Sequence, residues 1–257
     1  MIRRDLHTHT TYSDGNASPE EMVLAAIKAG FDEIGISDHS YTFFDTSYCL
    51  QEEKISEYLD TVRALDDRYS ADIRVLCGIE QDYYSASTTD QYDYVIGSVH
   101  YLYLGGKYIP VDENPEILKA AADEYFDGDI YGLCAEYYKT VSDVAGKTNA
   151  DIIGHFDLIS KFNDSADSFA EHPLFDPENP AYISAWKEAA DILIATGKPF
   201  EINTGAISRG YKKDPYPSYE QIAYIRDSGG IFVLSSDAHS PETIGYLFEE
   251  LSEKLCF

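Results

Sequence analysis

Short apolar segments alternate with helical segments along the whole sequence, and this alternation constrains the fold more than any other feature. The apolar segments are continuous rather than interrupted by polar residues at every second position, which is typical of parallel strands buried on both faces. The pattern predicts a parallel sheet covered by helices and closed into a barrel with one unit missing or distorted. Seven strands are predicted, at about residues 2–8, 33–37, 73–79, 94–98, 151–154, 199–203 and 231–236.

The 257 residues fit one large α/β domain, because barrels of this kind reach that size without dividing. No repeat, linker or low-complexity tract separates the chain, so we expect a single domain over residues 1–257. Residues 101–150 contain helical composition but no clear order of elements. Residues 163–180 are rich in Asp, Ser, Pro and Asn and are predicted to form a long loop, with a lid as one reading.

Helix starts are marked by capping residues. Ser18 and Ser218 each begin a capping box, in which a serine pairs with Glu or Gln three positions later. Residues 51–69 carry apolar side chains at the spacing of one buried helix face. Ser240-Pro241 is predicted to cap a C-terminal helix. Helices therefore separate the predicted strands, as a parallel barrel requires.

Charge and composition exclude some classes of partner. The net charge is −27, from 46 acidic and 19 basic residues, so long-range repulsion disfavours a nucleic-acid duplex or an anionic membrane. A small anionic substrate remains compatible, since bound divalent cations reverse the potential inside a pocket. No apolar run approaches the ~18 residues of a spanning helix, so we expect a soluble, cytoplasmic protein, with the oligomeric state left open. The cysteines are scattered and are expected to be reduced thiols: Cys49, Cys77, Cys134 and Cys256.

Six of the seven histidines lie at or just past the C-terminal end of a predicted strand. In a parallel barrel those strand ends share one rim, where active sites are built. Any one of these residues could be a polar group at a strand end, and each carboxylate among them could serve turn chemistry only. Together they predict a metal site, with His172 outside the pattern and without an assigned role. The candidates are His7, His9, His39, His100, His155 and His239, with the carboxylates Asp14, Glu80 and Asp237.

The chain resembles the polymerase and histidinol phosphatase (PHP) superfamily. The resemblance rests on His7-Thr8-His9 with Ser13-Asp14-Gly15, Ser37-Asp38-His39, Gly78-Ile79-Glu80, Gly97-Ser98-Val99-His100, Gly154-His155-Phe156-Asp157 and Ser236-Asp237-Ala238-His239. Glu201-Ile202-Asn203-Thr204, Arg209 and Tyr216-Pro217-Ser218 are further similar to its histidinol-phosphatase branch. The resemblance implies a distorted seven-stranded (β/α)7 TIM-like barrel with a trinuclear metal centre.

Carried over by motif, the resemblance also implies a ligand set. His7, His9, Glu80 and Asp237 would hold one metal, and Glu80 would bridge to a second metal held by His100 and His155. Asp14, His39 and His239 would hold the third. Two to three divalent ions are therefore expected, and imidazole–carboxylate sites accept Zn, Fe or Mn.

Such a site suits the hydrolysis of phosphomonoesters. Clustered divalent ions neutralise the phosphate dianion and lower the pKa of a bound water, so a metal-bridging hydroxide would attack in line. Asp237, Asp14 or His239 would carry the proton, and Arg209 would grip the phosphate with its planar fork. The favoured reaction converts L-histidinol phosphate to L-histidinol and phosphate.

One position departs from the histidinol-phosphatase pattern. Ser160 stands where the resemblance leads us to expect an arginine, and the next residue, Lys161, is either a substrate contact or a surface lysine. Other substrates therefore stay open, namely a nucleotide, a sugar phosphate or phosphotyrosine. An amidohydrolase-like C–N hydrolase and a non-enzymatic metal-binding module are the alternatives from other classes.

Overall fold

Seven parallel strands form one sheet that curls into a nearly closed barrel. The structure is a computed structural model and describes residues 3–163 and 173–255. Neighbouring strands pair in parallel in the order in which they occur in the chain, as the sequence predicts. The barrel strands are β1 (Arg4–Asp5), β2 (Glu33–Ile36), β3 (Arg74–Asp82), β4 (Tyr94–Ser98), β7 (Ile152–Ile153), β8 (Phe200–Asn203) and β9 (Phe232–Ser235).

The two edges of the sheet meet at the rim. Thr8 and Ala238 form a parallel bridge, in which the His9 amide donates to Ala238 O at 2.8 Å and the Ala238 amide donates to His7 O at 3.2 Å. The first strand is shorter than the predicted residues 2–8. Beyond Asp5 the chain leaves the regular ladder, and the Thr8 amide bonds the Ser37 side chain instead. The barrel is thus closed by the segments that carry the first and last predicted ligands.

The helices surround the barrel. Both capping boxes are present, with Ser18 before the first helix and Ser218 before the eighth. The prediction at Ser240 is wrong: a 3₁₀ turn follows it, and positive φ angles at Gly245 and Leu247 interrupt the chain before the last helix. The helices are α1 (Pro19–Lys28), α2 (Ile55–Tyr69), α3 (Pro115–Tyr125), α4 (Ile130–Ser142), α5 (Val144–Thr148), α6 (Pro180–Ile194), α7 (Gly205–Ser208), α8 (Tyr219–Asp227) and α9 (Phe248–Leu255).

A β-hairpin occupies the start of the region whose order the sequence left open. Strands β5 (Tyr101–Leu104) and β6 (Lys107–Pro110) pair antiparallel and turn at Gly105-Gly106. Both glycines have positive φ, the backbone conformation that a two-residue hairpin turn favours. The Gly-Gly pair was therefore the signal for this element.

The interior of the barrel is filled by a tyrosine. Tyr94 is buried, and its hydroxyl donates to Leu6 O at 2.5 Å. A Cβ added at Gly35 or Gly78 would lie 2.0 or 2.2 Å from atoms of the Tyr94 side chain, so only glycine fits at these positions. The barrel interior next to Gly35 and Gly78 is therefore occupied by an aromatic ring, and the candidate ligands lie at the carboxyl ends of the strands.

Two compositional expectations can be compared with the described residues. Cys49, Cys77 and Cys134 are free and buried, while Cys256 lies outside the described ranges. Among helices in those ranges, none combines the length and apolar character needed to cross a membrane. The predicted lid falls largely on residues 164–172, which also include His172 and lie outside the described residues.

Candidate metal centre

All nine candidate residues meet at the rim formed by the carboxyl ends of the strands. In each of them, a ring nitrogen or carboxylate oxygen lies 3.4 Å or less from one that belongs to another member. They arrive from the segments after β1, β2, β4, β7 and β9, and Glu80 projects from within β3. The carboxyl ends of the strands thus bring together side chains that are up to 232 positions apart in the sequence, from His7 to His239.

Glu80 lies at the centre of the cluster and is 1% exposed. Its Oε2 is 2.7 Å from His39 Nδ1 and 3.4 Å from His7 Nε2. Its Oε1 is 2.8 Å from His155 Nε2 and 3.4 Å from His100 Nε2. His9 Nε2 also lies 3.6 Å from Oε2, so each carboxylate oxygen faces a different set of imidazoles.

Asp14 organises the outer side of the cluster. Its Oδ2 lies 3.2 Å from His239 Nε2, and its Oδ1 lies 3.6 Å from His39 Nε2 and 3.8 Å from His9 Nδ1. Burial raises the pKa of Asp14, but His39 and His239 outweigh burial and hold the pKa well below its ordinary value. Asp14 is therefore ionised at neutral pH.

Several buried polar atoms of the cluster form no hydrogen bond of good geometry among the described residues, namely His7 Nε2, both ring nitrogens of His9 and Glu80 Oε2. Glu80 Oε2 nevertheless lies within ion-pair distance of His39 Nδ1. Burial, together with the neighbouring His239 and His39, lowers the pKa of His9 to about 3, so this ring is neutral at pH 7.

Divalent metals bind imidazole nitrogens and carboxylate oxygens, and all nine residues of the cluster carry one or the other. Burial lowers the pKa of His7, His39 and His100, but the carboxylates around them, with Glu80 facing all three, outweigh burial and raise it, so these three rings would release a proton when a metal binds. The residues present therefore fit a metal centre.

Among the described residues, three overlapping groups have ligand atoms within 4.8 Å of one another. His9, His39 and Glu80 each belong to two of the groups, so the sites are contiguous rather than separate. These groups differ from the three ligand sets that the resemblance implies, because His9 and His39 each belong to two groups and to only one of those sets. The groups are His9, Asp14, His39 and His239; His7, His9 and Glu80; and His39, Glu80 and His100.

Glu201, at the end of β8, orients two of the histidines. Its Oε1 lies 2.7 Å from His7 Nδ1, and its Oε2 accepts a hydrogen bond from the His155 amide at 3.0 Å. It is fully buried. A carboxylate on the second ring nitrogen fixes the tautomer and direction of a metal-binding imidazole. In the sequence, Glu201 was identified only as part of a family resemblance, although its position in an apolar strand could have indicated a role at the rim.

Asp82 plays the same part for His100. Its Oδ2 lies 3.3 Å from His100 Nδ1 and accepts from the His100 amide at 3.2 Å. Asp82 follows Glu80 by two positions in β3, so both side chains lie on the same face of the strand. Asp82 was not among the predicted site residues, and its spacing from Glu80 would have indicated it.

Arg209 is bound to the last two candidate residues. Its Nη2 lies 3.2 Å from Asp237 Oδ2, and its Nη1 donates to Asp237 O at 3.0 Å and lies 2.9 Å from His239 Nδ1. Asp237 itself has a φ of 51°, in the left-handed region. A Cβ at Gly205 would lie 2.6 Å from Asp237 Oδ2, so glycine is required where α7 passes the cluster.

A cavity of about 400 Å³ opens onto the cluster. Arg209 and Lys161 both line it, as do the aromatic rings of Tyr48, Tyr101 and Tyr216. The volume lies within the usual range for small-molecule sites. The rim therefore offers a metal-binding floor with room for a small ligand above it.

The residues 5–205 match a protein-family model described as the PHP domain. The chain belongs to the PHP family. A Deinococcus radiodurans protein named "Probable histidinol-phosphatase" is 29% identical over 265 residues, which cover 98% of this chain and 92% of the relative.

Two crystal structures share the PHP fold of this chain. HisK of Listeria monocytogenes has a TM-score of 0.79 at 20% identity, over 96% of this chain and 99% of that protein. The histidinol phosphate phosphatase of Lactococcus lactis, in complex with zinc, L-histidinol and phosphate, has a TM-score of 0.65 at 21% identity. That match covers 93% of this chain and 87% of the Lactococcus protein. At these identities the likeness establishes the distorted (β/α)7 barrel.

Ser160 and Lys161 lie where this PHP chain departs from the histidinol-phosphatase pattern, which has an arginine at position 160. Ser160 Oγ donates to Asp157 Oδ2 at 2.9 Å and accepts a hydrogen bond from Lys212 Nζ at 2.7 Å. A buried cation therefore lies beside Ser160, but it is the ammonium group of Lys212 rather than an arginine. Lys161 Nζ donates to Asp112 O at 2.8 Å and lies 3.1 Å from Asp112 Oδ2. Lys161 lines the cavity as a member of this ion pair.

Proposed function

We propose that this chain hydrolyses L-histidinol phosphate to L-histidinol and phosphate. The chain is a metal-dependent phosphatase of the PHP family, and the proposal names its substrate. The observation that carries it is the buried cluster of imidazole and carboxylate atoms that opens into a cavity beside Arg209. A relative that matches nearly the whole chain bears a histidinol-phosphatase name, and the Lactococcus protein binds L-histidinol and phosphate.

We assign two to three divalent ions, Zn, Fe or Mn, to the cluster. When bound, such ions neutralise phosphate charge and activate water for attack. The overlap of the three ligand groups supports neighbouring ions that share Glu80. The ligand types do not select one metal, since imidazole and carboxylate donors accept all three. The assigned ligands are His7, His9, Asp14, His39, Glu80, His100, His155, Asp237 and His239.

Arg209 is the proposed phosphate-binding cation. Its guanidinium is fixed by Asp237 and His239 and faces the same cavity, so its position is set before a substrate enters. Burial raises the pKa of Asp237, but Arg209 and His7 outweigh it and keep this carboxylate ionised. Asp237 is therefore an acceptor at neutral pH, and with Asp14 and His239 it is the proposed proton carrier at the site.

The cavity wall beyond the cluster suits a cationic organic group. It includes the carboxylates Asp45 and Glu113 and the rings of Tyr48 and Tyr101, and it includes Asp112 as the ion-pair partner of Lys161. The Tyr101 hydroxyl donates to Asp45 Oδ2 at 2.8 Å, which fixes one carboxylate against an aromatic wall. Histidinol phosphate carries an ammonium group and an imidazole, whereas a sugar phosphate offers only hydroxyls. This wall therefore favours histidinol phosphate over a sugar phosphate.

A phosphate-release screen tests the substrate assignment. The metal-reconstituted protein would be assayed with histidinol phosphate, a nucleoside monophosphate, a sugar phosphate and phosphotyrosine. We expect histidinol phosphate to give the highest kcat/KM, because its positive groups match the acidic wall. A higher kcat/KM for another substrate would overturn the histidinol assignment. No release above a metal-only blank from any substrate would contradict phosphatase activity itself.

A further inference from the structure

The hydroxyl of Tyr216 is buried without a partner. Tyr216 is 1% exposed, and its Oη has no hydrogen-bond partner among the described residues. Buried hydroxyls are nearly always paired, because an unpaired one loses its bond to water and gains nothing in return. In a residue that lines the cavity, such an atom is accounted for by a ligand that supplies the missing partner.

The position of Tyr216 is set by its backbone. Its amide donates to Asn203 O at 3.0 Å, and its carbonyl accepts from the Asn203 amide at 2.7 Å. Asn203 is the last residue of β8 and lies 3.2 Å from Glu201, the carboxylate that orients His7. The phenol is thus anchored to the strand that also positions the metal cluster, which is how a binding group is preorganised.

Tyr216 lines the cavity that opens onto the cluster. Its ring centroid is 6.4 Å from that of His155, and the two rings meet edge to face. His155 Nε2 is in turn 2.8 Å from Glu80 Oε1. Arg209, the proposed phosphate-binding cation, lines the same cavity, so a phosphoryl group bound there shares its walls with Tyr216.

The chemical state of the phenol is that of a donor. A tyrosine hydroxyl has an ordinary pKa of about 10 and is therefore protonated at neutral pH. Phosphate oxygens are acceptors only, so a protonated phenol and a phosphoryl group are complementary.

We propose that Tyr216 Oη donates a hydrogen bond to a phosphoryl oxygen of the bound substrate. The proposal rests on the proposed phosphatase function but not on the identity of the organic group. Tyr216 is then a phosphate-binding residue that acts beside Arg209 and completes the set of donors around the phosphate.

The test is Tyr216→Phe in the metal-reconstituted protein, with inorganic phosphate as the probe. Removing a donor to a charged acceptor should weaken phosphate binding about 10- to 100-fold, as measured by calorimetry. The melting temperature should stay unchanged or rise, because an unpaired buried hydroxyl has been removed. Loss of binding together with retained or higher stability would support the proposal, since a structural hydroxyl would give the opposite change in stability.

Tyr224→Phe is the matched control. Tyr224 Oη donates to Asp191 on α6 at 2.9 Å and does not line the cavity, so this variant should bind phosphate as the wild type does. Phosphate affinity within twofold of wild type in Tyr216→Phe would overturn the proposal, as would weaker binding that appears only with a lower melting temperature. If the wild type binds phosphate but does not hydrolyse histidinol phosphate, the substrate assignment fails while the result for Tyr216 stands.

Discussion

Asp237 has a backbone conformation that few side chains adopt and also lies inside the cluster. Its φ of 51° is tolerated best by Gly, Asn and Asp. The same residue places Oδ1 3.3 Å from His9 Nε2 and Oδ2 3.2 Å from Arg209 Nη2. The backbone and charge requirements can therefore be separated by the choice of substitution.

We expect Asp237→Asn to keep the fold and lose most of the activity. Asparagine accepts the same backbone conformation but lacks the negative charge, so kcat should fall about 100-fold or more while the melting temperature changes little. Asp237→Ala should lose activity and also stability, because alanine is strained at this φ. Phosphate-release kinetics and thermal unfolding of both variants check this. Equal stability losses in the two variants would contradict the role given to the backbone.

At the scale of residues, the sequence predicted which candidate ligands share one rim better than it predicted the groups that support them. The histidines were identifiable because a rim collects whatever follows each strand, and imidazoles are rare enough to stand out. Glu201 and Asp82 were missed as site residues because carboxylates are common in a chain with 46 acidic residues. Their role depends on the direction of the side chain toward His7 and His100, which spacing alone did not establish.

At the scale of elements, hydrophobic patterning predicted the strands and capping chemistry predicted the helices. The parallel order follows from apolar strands separated by helices, and the structure contains all seven. Hydrophobic patterning did not predict two elements that depend on local backbone conformation. They are the hairpin that turns at Gly105-Gly106 and the start of α9 at Phe248. The hairpin contributes Tyr101 and Pro110 to the cavity, so the missed element belongs to the site.

The capping box of α1 supports a prediction at this scale. The Glu21 amide donates to Ser18 Oγ at 3.3 Å, and the Ser18 amide donates to Glu21 Oε2 at 2.8 Å. Ser18→Ala should cost about 1 kcal/mol of stability, which corresponds to about 2–4 °C in melting temperature for a domain of this size. Ser70→Ala, at the exposed C-terminal end of α2, serves as the control and should be nearly neutral. An unchanged melting temperature in Ser18→Ala would show that the box contributes little.

At the scale of the molecule, an acidic chain surrounds the buried cluster of candidate metal ligands. The net charge of −27 attracts cations to the surface in general, whereas the cluster presents buried imidazole and carboxylate atoms at fixed positions. Surface association is screened by salt, but coordination at a buried site is much less so. These two kinds of metal binding can therefore be distinguished.

We expect metal removal to destabilise the protein. A ligand that binds only the folded state at 100 times its Kd adds about 2.7 kcal/mol of stability, so chelation should lower the melting temperature and Zn, Mn or Fe should restore it. Elemental analysis after reconstitution in high salt should give two to three metals per chain. Fewer than one metal per chain, or a melting temperature that ignores the chelator, would contradict the metal centre.

The closure of the barrel at Thr8 and Ala238 has a consequence for how the protein is made. The Ser236 amide donates to Asp5 Oδ1 across 231 positions of the sequence, so this contact has one of the largest loop-closure costs in the chain. Contacts of such long range slow folding. His7 and His9 lie 230 positions before Asp237 and His239 respectively, so they stay without these partners until β9 has been synthesised. The candidate set therefore assembles late in folding, when the bridge between Thr8 and Ala238 forms.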